Sequence, residues 1–188
     1  AANITNYFSN TVQDTAGQMI QTLDATGFTV GNNATVNTSA NTYWFFAFKQ
    51  SSGVMDVGLY SGNNTDNTNI TSSTDSGLTF QPDFVLVKGA TSTSPYGTGK
   101  ITETYGENSL YLTDTANTAS NNIQSLLSTG GFQVGTGVYV NATSSAYYYA
   151  AFAGASDTRS SSGTFTMAKG SYVGTGAATS VTGIGFAP

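Results

Sequence analysis

One unit of sequence is used nearly twice in this chain, and that repeat constrains the fold more than any other feature. Ile20-Gln21-Thr22-Leu23 followed by Gly27-Phe28-Thr29-Val30-Gly31 returns as Ile123-Gln124-Ser125-Leu126 followed by Gly131-Phe132-Gln133-Val134-Gly135. Val36-Asn37 answers Val140-Asn141, and the aromatic run Tyr43–Phe48 answers Tyr147–Phe152. Further on, Gly58–Gly62 answers Gly170–Gly174, and Gly77–Pro82 answers Gly183–Pro188. A period this long marks repeated supersecondary units whose faces are buried against one another. The units divide at residues 1–82 and 83–188, either as two modules or merged into one sandwich.

The phase of the repeat is informative. Asp83-Phe84-Val85-Leu86-Val87-Lys88-Gly89 is the strongest strand signal and occurs once. Ile4–Phe8 aligns with the region of Ser109–Leu112 instead. Two units with one copy of this strand leave an open sheet edge, which is prone to pairing. A neighbouring subunit would fill it by strand donation, with Ala1–Phe8 and Thr179–Pro188 as the donors. Alternatively, both units share the single strand within one merged sandwich.

Short apolar runs broken by Gly, Asn and Ser clusters recur along the chain, which predicts an all-β protein, a sandwich or jelly roll with little or no helix. Strands are expected at Phe28–Val30, Thr42–Lys49, Val54–Tyr60, Leu78–Phe80, Phe84–Lys88, Ser109–Leu112, Phe132–Val134, Ala146–Ala153, Thr164–Lys169 and Ile184–Phe186. Asn63–Asn69 reads as a loop. Gly17–Leu23 and Ala119–Leu127 read as helical turns. Both aromatic runs are apolar on alternate and intervening positions, so each is covered on two faces or sits at an interface.

The order Phe80–Lys88, Asn108–Leu112, Ile123–Leu126, Gly131–Gly135, Val140-Asn141 and Tyr147–Phe152 resembles a module of phage structural proteins, the concanavalin-like β-sandwiches of tail fibres and virion surfaces. That resemblance implies a structural, non-enzymatic role.

Composition narrows the function further. Only 8% of residues are charged, against about a quarter in ordinary soluble domains. Five basic residues are scattered, so nucleic-acid binding is not expected and there is no polybasic membrane patch. No apolar run reaches the roughly 18 residues that a membrane helix needs. A surface of hydroxyls and amides points to an extracellular, cell-surface or virion location.

The chain has no histidine and no cysteine, which removes the usual triads, the common general base and thiolate metal sites. Glu103 and Glu107 lack the pattern of a glycosidase pair. No cofactor is expected. Asn63–Asn69 is the one segment rich enough in oxygen ligands to hold calcium, and a single carboxylate would hold it weakly. The sequons at Asn3, Asn33, Asn37, Asn63, Asn69 and Asn141 are close to the number chance gives in a chain so rich in Asn, Ser and Thr.

The leading expectation is a subunit that assembles with itself into a filament or a virion or tail structure. The candidate interface comprises Ile4, Tyr7, Phe8, Tyr43, Trp44, Phe46, Phe84, Val85, Tyr148, Ile184 and Phe186. The alternative is a lectin-like adhesin that binds cell-surface glycans by stacking sugar on Trp44, Tyr60 or Tyr96. An exposed Trp44 beside Asn and Asp side chains would favour it.

Overall fold

A computed structural model of the chain describes residues 5–6, 13–14, 17–90, 96–102, 106–112, 120–154, 167–170 and 172–184. The first elements are β1 (Thr5–Asn6), β2 (Gln13–Asp14), β3 (Ile20–Leu23), β4 (Phe28–Val30) and a single helical turn α1 (Ala34–Asn37). Then follow β5 (Met55–Ser61), β6 (Thr68–Ile70), β7 (Phe84–Gly89), β8 (Thr98–Ile101), β9 (Leu110–Tyr111), β10 (Ile123–Leu126), β11 (Phe132–Val134), the turn α2 (Val138–Asn141) and β12 (Ala146–Phe152).

The fold is an antiparallel β-sandwich. One sheet has the order β5-β12-β7-β8-β9, and the other β10-β11-β6. Strand β12 is central and pairs along its length with β5 and β7. Its side chains alternate across the sheet, as a strand requires. Tyr147, Tyr149 and Ala151 turn inward and are buried, whereas Tyr148 and Ala150 on the outer face are half-buried. The inward set meets Tyr60, Val85 and Val87 of its own sheet and Ile70, Ile123, Phe132 and Val134 of the facing one. Each such large apolar side chain, fully buried, contributes about 1.5–3 kcal/mol.

Buried polar groups in this core are paired. The Tyr60 hydroxyl donates to the Val140 carbonyl at 2.7 Å. The Tyr147 hydroxyl donates to the Val138 carbonyl at 2.7 Å and accepts from the Ala142 amide at 2.8 Å. Asn141 is fully buried. It accepts from the Asn63 amide and donates to the Thr65 and Gly135 carbonyls. Satisfying such groups avoids a penalty of about 1–3 kcal/mol apiece.

The sandwich draws on both repeat units: β5 and β6 precede residue 83, and β7 to β12 follow it. The strand Asp83–Gly89 thus serves strands of both units, while residues 17–48 stay outside its two sheets.

Several sequence expectations are corrected. Thr42–Lys49, read as a strand, joins no sheet. Leu78–Phe80 is not a strand either, although Leu78 is a core residue. Gly17–Leu23 and the described part of Ala119–Leu127 are not helical; Ile20–Leu23 and Ile123–Leu126 are strands of the hairpins β3-β4 and β10-β11. The end of the Asn63–Asn69 loop becomes β6 by pairing with β11. The 3.6-residue turns fall instead at α1 and α2. Most of Thr164–Lys169 and Ile184–Phe186 lies outside the described residues, and 167–169 and Ile184 join no sheet.

Candidate functional site

Residues 17–48 repeat the local structure of 120–152 closely. Hairpin β3-β4 has the pairs Ile20↔Val30 and Leu23↔Phe28 with a bulge after Ile20. Hairpin β10-β11 has Ile123↔Val134 and Leu126↔Phe132 with a bulge after Ile123. The Gly31 amide donates to the Met19 carbonyl and Asn33 to Gln18, as Gly135 donates to Asn122 and Gly137 to Asn121. Turn α1 is capped by the Asn33 side chain, which accepts from the Thr35 amide at 2.9 Å. Asn37 donates to the Gly31 carbonyl as Asn141 does to Gly135. Beyond the turn, the Tyr43 hydroxyl donates to the Ala34 carbonyl and accepts from the Thr38 amide, both at 2.9 Å. These bonds match those of Tyr147. Hydrogen bonding to Thr38 lowers the Tyr43 pKa. The Phe28 and Phe45 rings meet edge to face at 5.1 Å, as Phe132 and Tyr149 do at 5.4 Å.

What differs is the cover. Phe132, Tyr147 and Tyr149 are buried in the sandwich, while Phe45 is 67% exposed and Tyr43 40%. Leu23 is exposed where its counterpart Leu126 packs against the core. Leu23, Phe28, Phe45, Ala47 and Phe48 line a groove of about 730 Å³. In the complete copy the equivalent face is closed by β5 and β6. The arm is therefore a hairpin and an aromatic run that copy those of residues 120–152, with Phe48 meeting the Phe152 ring edge to face at 5.6 Å and Phe45 left exposed.

A second segment outside the two sheets lies beside Asp83, next to strand β7. Residues 167–170 and 172–184 join no sheet, and Tyr172 and Val173 are exposed. Lys169 approaches Asp83 at 3.4 Å and donates to the Thr102 hydroxyl.

Of the residues expected at an interface, Tyr43, Trp44 and Phe46 are on the exposed arm, with Trp44 and Phe46 about 90% accessible. Phe84 and Tyr148 are half-buried on the outer face of the five-stranded sheet. Val85 is sealed in the core, with no surface left to offer. Ile184 is half-buried, and Ile4, Tyr7, Phe8 and Phe186 lie outside the described residues. Leu23, Phe45 and Phe48 of the groove were not singled out from sequence, although their repeat counterparts in a central strand and hairpin would have pointed to them.

Among the stacking candidates, Tyr60 is buried beneath Tyr147 and Phe132 and cannot meet a sugar. Burial raises its hydroxyl well above the ordinary tyrosine range. Tyr96 packs with Tyr111 and Tyr139. Trp44 is exposed, but its neighbours Tyr43, Phe45 and Phe46 are aromatic rather than amide-bearing. In the Asn63–Asn69 loop, Asn63 caps its own turn by accepting from Thr65 and Thr68, and Asp66 accepts from Gln124. No group of three or more carboxylates is found together among the described residues. Glu103 lies outside the described residues, and Glu107 is exposed.

The sequon residues differ in access. Asn141 is fully buried with its amide nitrogen donating twice, and Asn37 donates to Gly31. Asn33 and Asn63 use their side-chain oxygens as caps, and Asn69 accepts from Gln133. Asn3 lies outside the described residues. No described helix is long and apolar enough to cross a membrane. No known protein family matches the chain, and neither does any curated protein or solved structure.

Proposed function

We propose that the chain is a non-enzymatic structural subunit that assembles with itself into an extracellular filament or a virion surface or tail structure. One observation carries this reading. Residues 17–48 are folded, by hydrogen bonds matching those of 120–152, into a copy of that segment whose aromatic face is largely exposed. Exposed aromatics at this density mark an interaction surface. Closing the groove over Leu23, Phe45 and Phe48 returns about 1.5–3 kcal/mol for each side chain fully covered. The scarcity of charge on the chain and the resemblance to phage sandwich modules support the same reading.

Sedimentation velocity over a wide concentration range, followed by negative-stain microscopy, tests it. Species larger than a monomer that grow with concentration are expected. Replacing Phe45 and Phe48 by Ser should abolish them. A strict monomer at the highest concentration would refute the proposal.

A further inference from the structure

The five-stranded sheet ends on β5, and that edge is built unlike the others of the sandwich. β5 runs for 7 residues, whereas the edge strands β6, β9 and β10 have 3, 2 and 4. Short edges are one way in which proteins keep sheets from pairing; lysine, proline and bulges are others. β5 has none of these. Its sequence Met-Asp-Val-Gly-Leu-Tyr-Ser holds no basic residue and no proline, and it pairs with β12 without a register shift. Its one charge, Asp56, is buried and turns into the sandwich, where it accepts from Tyr149 and Gln50.

The register shows which backbone groups of β5 are free. In an antiparallel ladder, alternate residues bond one neighbour and the intervening residues bond the other side. The Gly62 amide donates to the Ser145 carbonyl, and the Ala153 amide to the Val54 carbonyl. Residues of the same parity, Asp56, Gly58 and Tyr60, therefore bond β12. The intervening residues point away from it. Met55 does so by exchanging both its bonds with Ser51, at 2.9 and 3.1 Å. Val57, Leu59 and Ser61 have no such neighbour among the described residues. Val57 and Leu59 are 45% and 54% exposed, on the outer face beside Ala150 and Tyr148.

We infer that this edge pairs with the same edge of a second copy of the chain, antiparallel about a two-fold axis at Leu59. In that register Leu59 faces Leu59 of the second copy, and Val57 faces its Ser61. The inference rests on the assembly reading above and adds a contact to it.

The strand is fully complementary to itself only in this register. Val57, Leu59 and Ser61 offer three amides and three carbonyls on each copy. Centring on Leu59 joins them all, donor to acceptor, with none left over. Centring on Gly58 sets Ser61 against Met55, whose groups Ser51 already holds. Centring on Tyr60 sets Val57 against Asn63, whose amide already donates to Asn141. A shift by half a step sets outward groups against inward ones and breaks the ladder. On the outer face, Leu59 and Val57 continue the apolar row of Tyr148 and Ala150 across the axis, which removes apolar surface from water.

Backbone bonds of this kind replace bonds to water and return little net, while association has its own entropic cost. The edge therefore acts beside the groove over Leu23, Phe45 and Phe48, not in place of it. A two-fold contact closes on itself, so the edge joins chains in pairs and the groove contact extends them.

Because the chain has no native cysteine, single substitutions test the register. Directly paired Cα atoms in such a ladder lie about 5.5 Å apart, within the roughly 4.4–6.8 Å that a disulfide spans. Full-length L59C should therefore oxidise to a covalent dimer with itself. V57C should do so about tenfold more slowly, because its two copies stand four residues apart along the ladder, about 13 Å. Mixed V57C and S61C chains should bridge as L59C does. L59K sets like charges opposite each other on the axis. It should leave the urea midpoint unchanged and reduce the larger species about tenfold at equal concentration. V57C bridging to L59C, with L59C alone inert, would overturn the register. Loss of assembly in L59K without an L59C bridge would overturn a second copy as the occupant. Assemblies unaffected by L59K and lacking the bridge would overturn the edge contact and leave the assembly reading standing. A chain that stays monomeric and unbridged would overturn this inference together with the proposed function.

Discussion

The Tyr149 hydroxyl donates to the buried Asp56 carboxylate at 2.6 Å, and this one bond distinguishes the completed half of the repeat from the open one. Asp56 also accepts from Gln50 at 2.5 Å. Tyr149→Phe should therefore destabilise the sandwich by about 1–3 kcal/mol, the cost of stripping one partner from a buried polar group. Adding Asp56→Ala should cost less than the sum of the two single changes, since they share the interaction. Urea unfolding of the four chains measures this; strict additivity would show that the pair is not coupled.

Glycine substitutions should separate crowded positions from open ones. Gly58→Ala forces a methyl against the Asp75 carboxylate and the Tyr149 ring, and overpacking of this kind costs about 1–3 kcal/mol. Gly170→Ala meets nothing in the free chain, so the unfolding midpoint should shift by less than about 0.5 kcal/mol. Thermal unfolding of both variants checks the contrast.

Large-to-small changes at equivalent positions should also differ. Phe132 is fully buried, and Phe132→Ala should cost about 3–5 kcal/mol. Phe28 is only half-buried, so Phe28→Ala should cost the dilute chain much less and should reduce association instead. Equal losses of stability for the two would mean that the arm is already closed.

These contrasts show what was legible in the sequence. The repeat, the all-β class and strands β7, β11 and β12 follow from apolar alternation and turn residues. Strand β8 does not, because Thr98-Gly99-Lys100-Ile101 shows no such alternation. Gly99 lies 3.3 Å, measured from the position its Cβ would take, from the Phe84 ring. Lys100 spans the sheet end to donate to the Gly106 and Asn108 carbonyls. Strand β6 is polar and exists through its pairing with β11. Above all, Tyr43–Phe48 and Tyr147–Phe152 look alike locally. Only the presence of β5 and β7 beside the second makes it a strand, and partner availability is not written in either run.

Stability should respond to alkali through buried tyrosines. Burial raises the pKa of Tyr60 and of Tyr149, the latter also through its bond to Asp56. Unfolded tyrosines ionise near 10, so the stabilisation is complete below that pH and is lost progressively above it. Lys88 and Lys100 act in the opposite sense: burial lowers both, so their penalty lifts as pH rises toward about 10.5 and is constant beyond. Above that point only the tyrosine effect remains. With no histidine, the urea midpoint should change little between about pH 6 and 8, then fall beyond about 10.5. Tyr149→Phe should shallow that fall, and an unchanged slope would contradict the assignment.

The central claim is that residues 42–48 form a strand only when another chain supplies its neighbour. Hydrogen–deuterium exchange of the Tyr43–Phe48 amides, followed as a function of protein concentration, measures this directly. The account predicts rapid exchange in dilute monomer, and in the assembly protection of alternate amides across 42–48. Rapid exchange of 42–48 within formed assemblies, or full protection in the monomer, would contradict it.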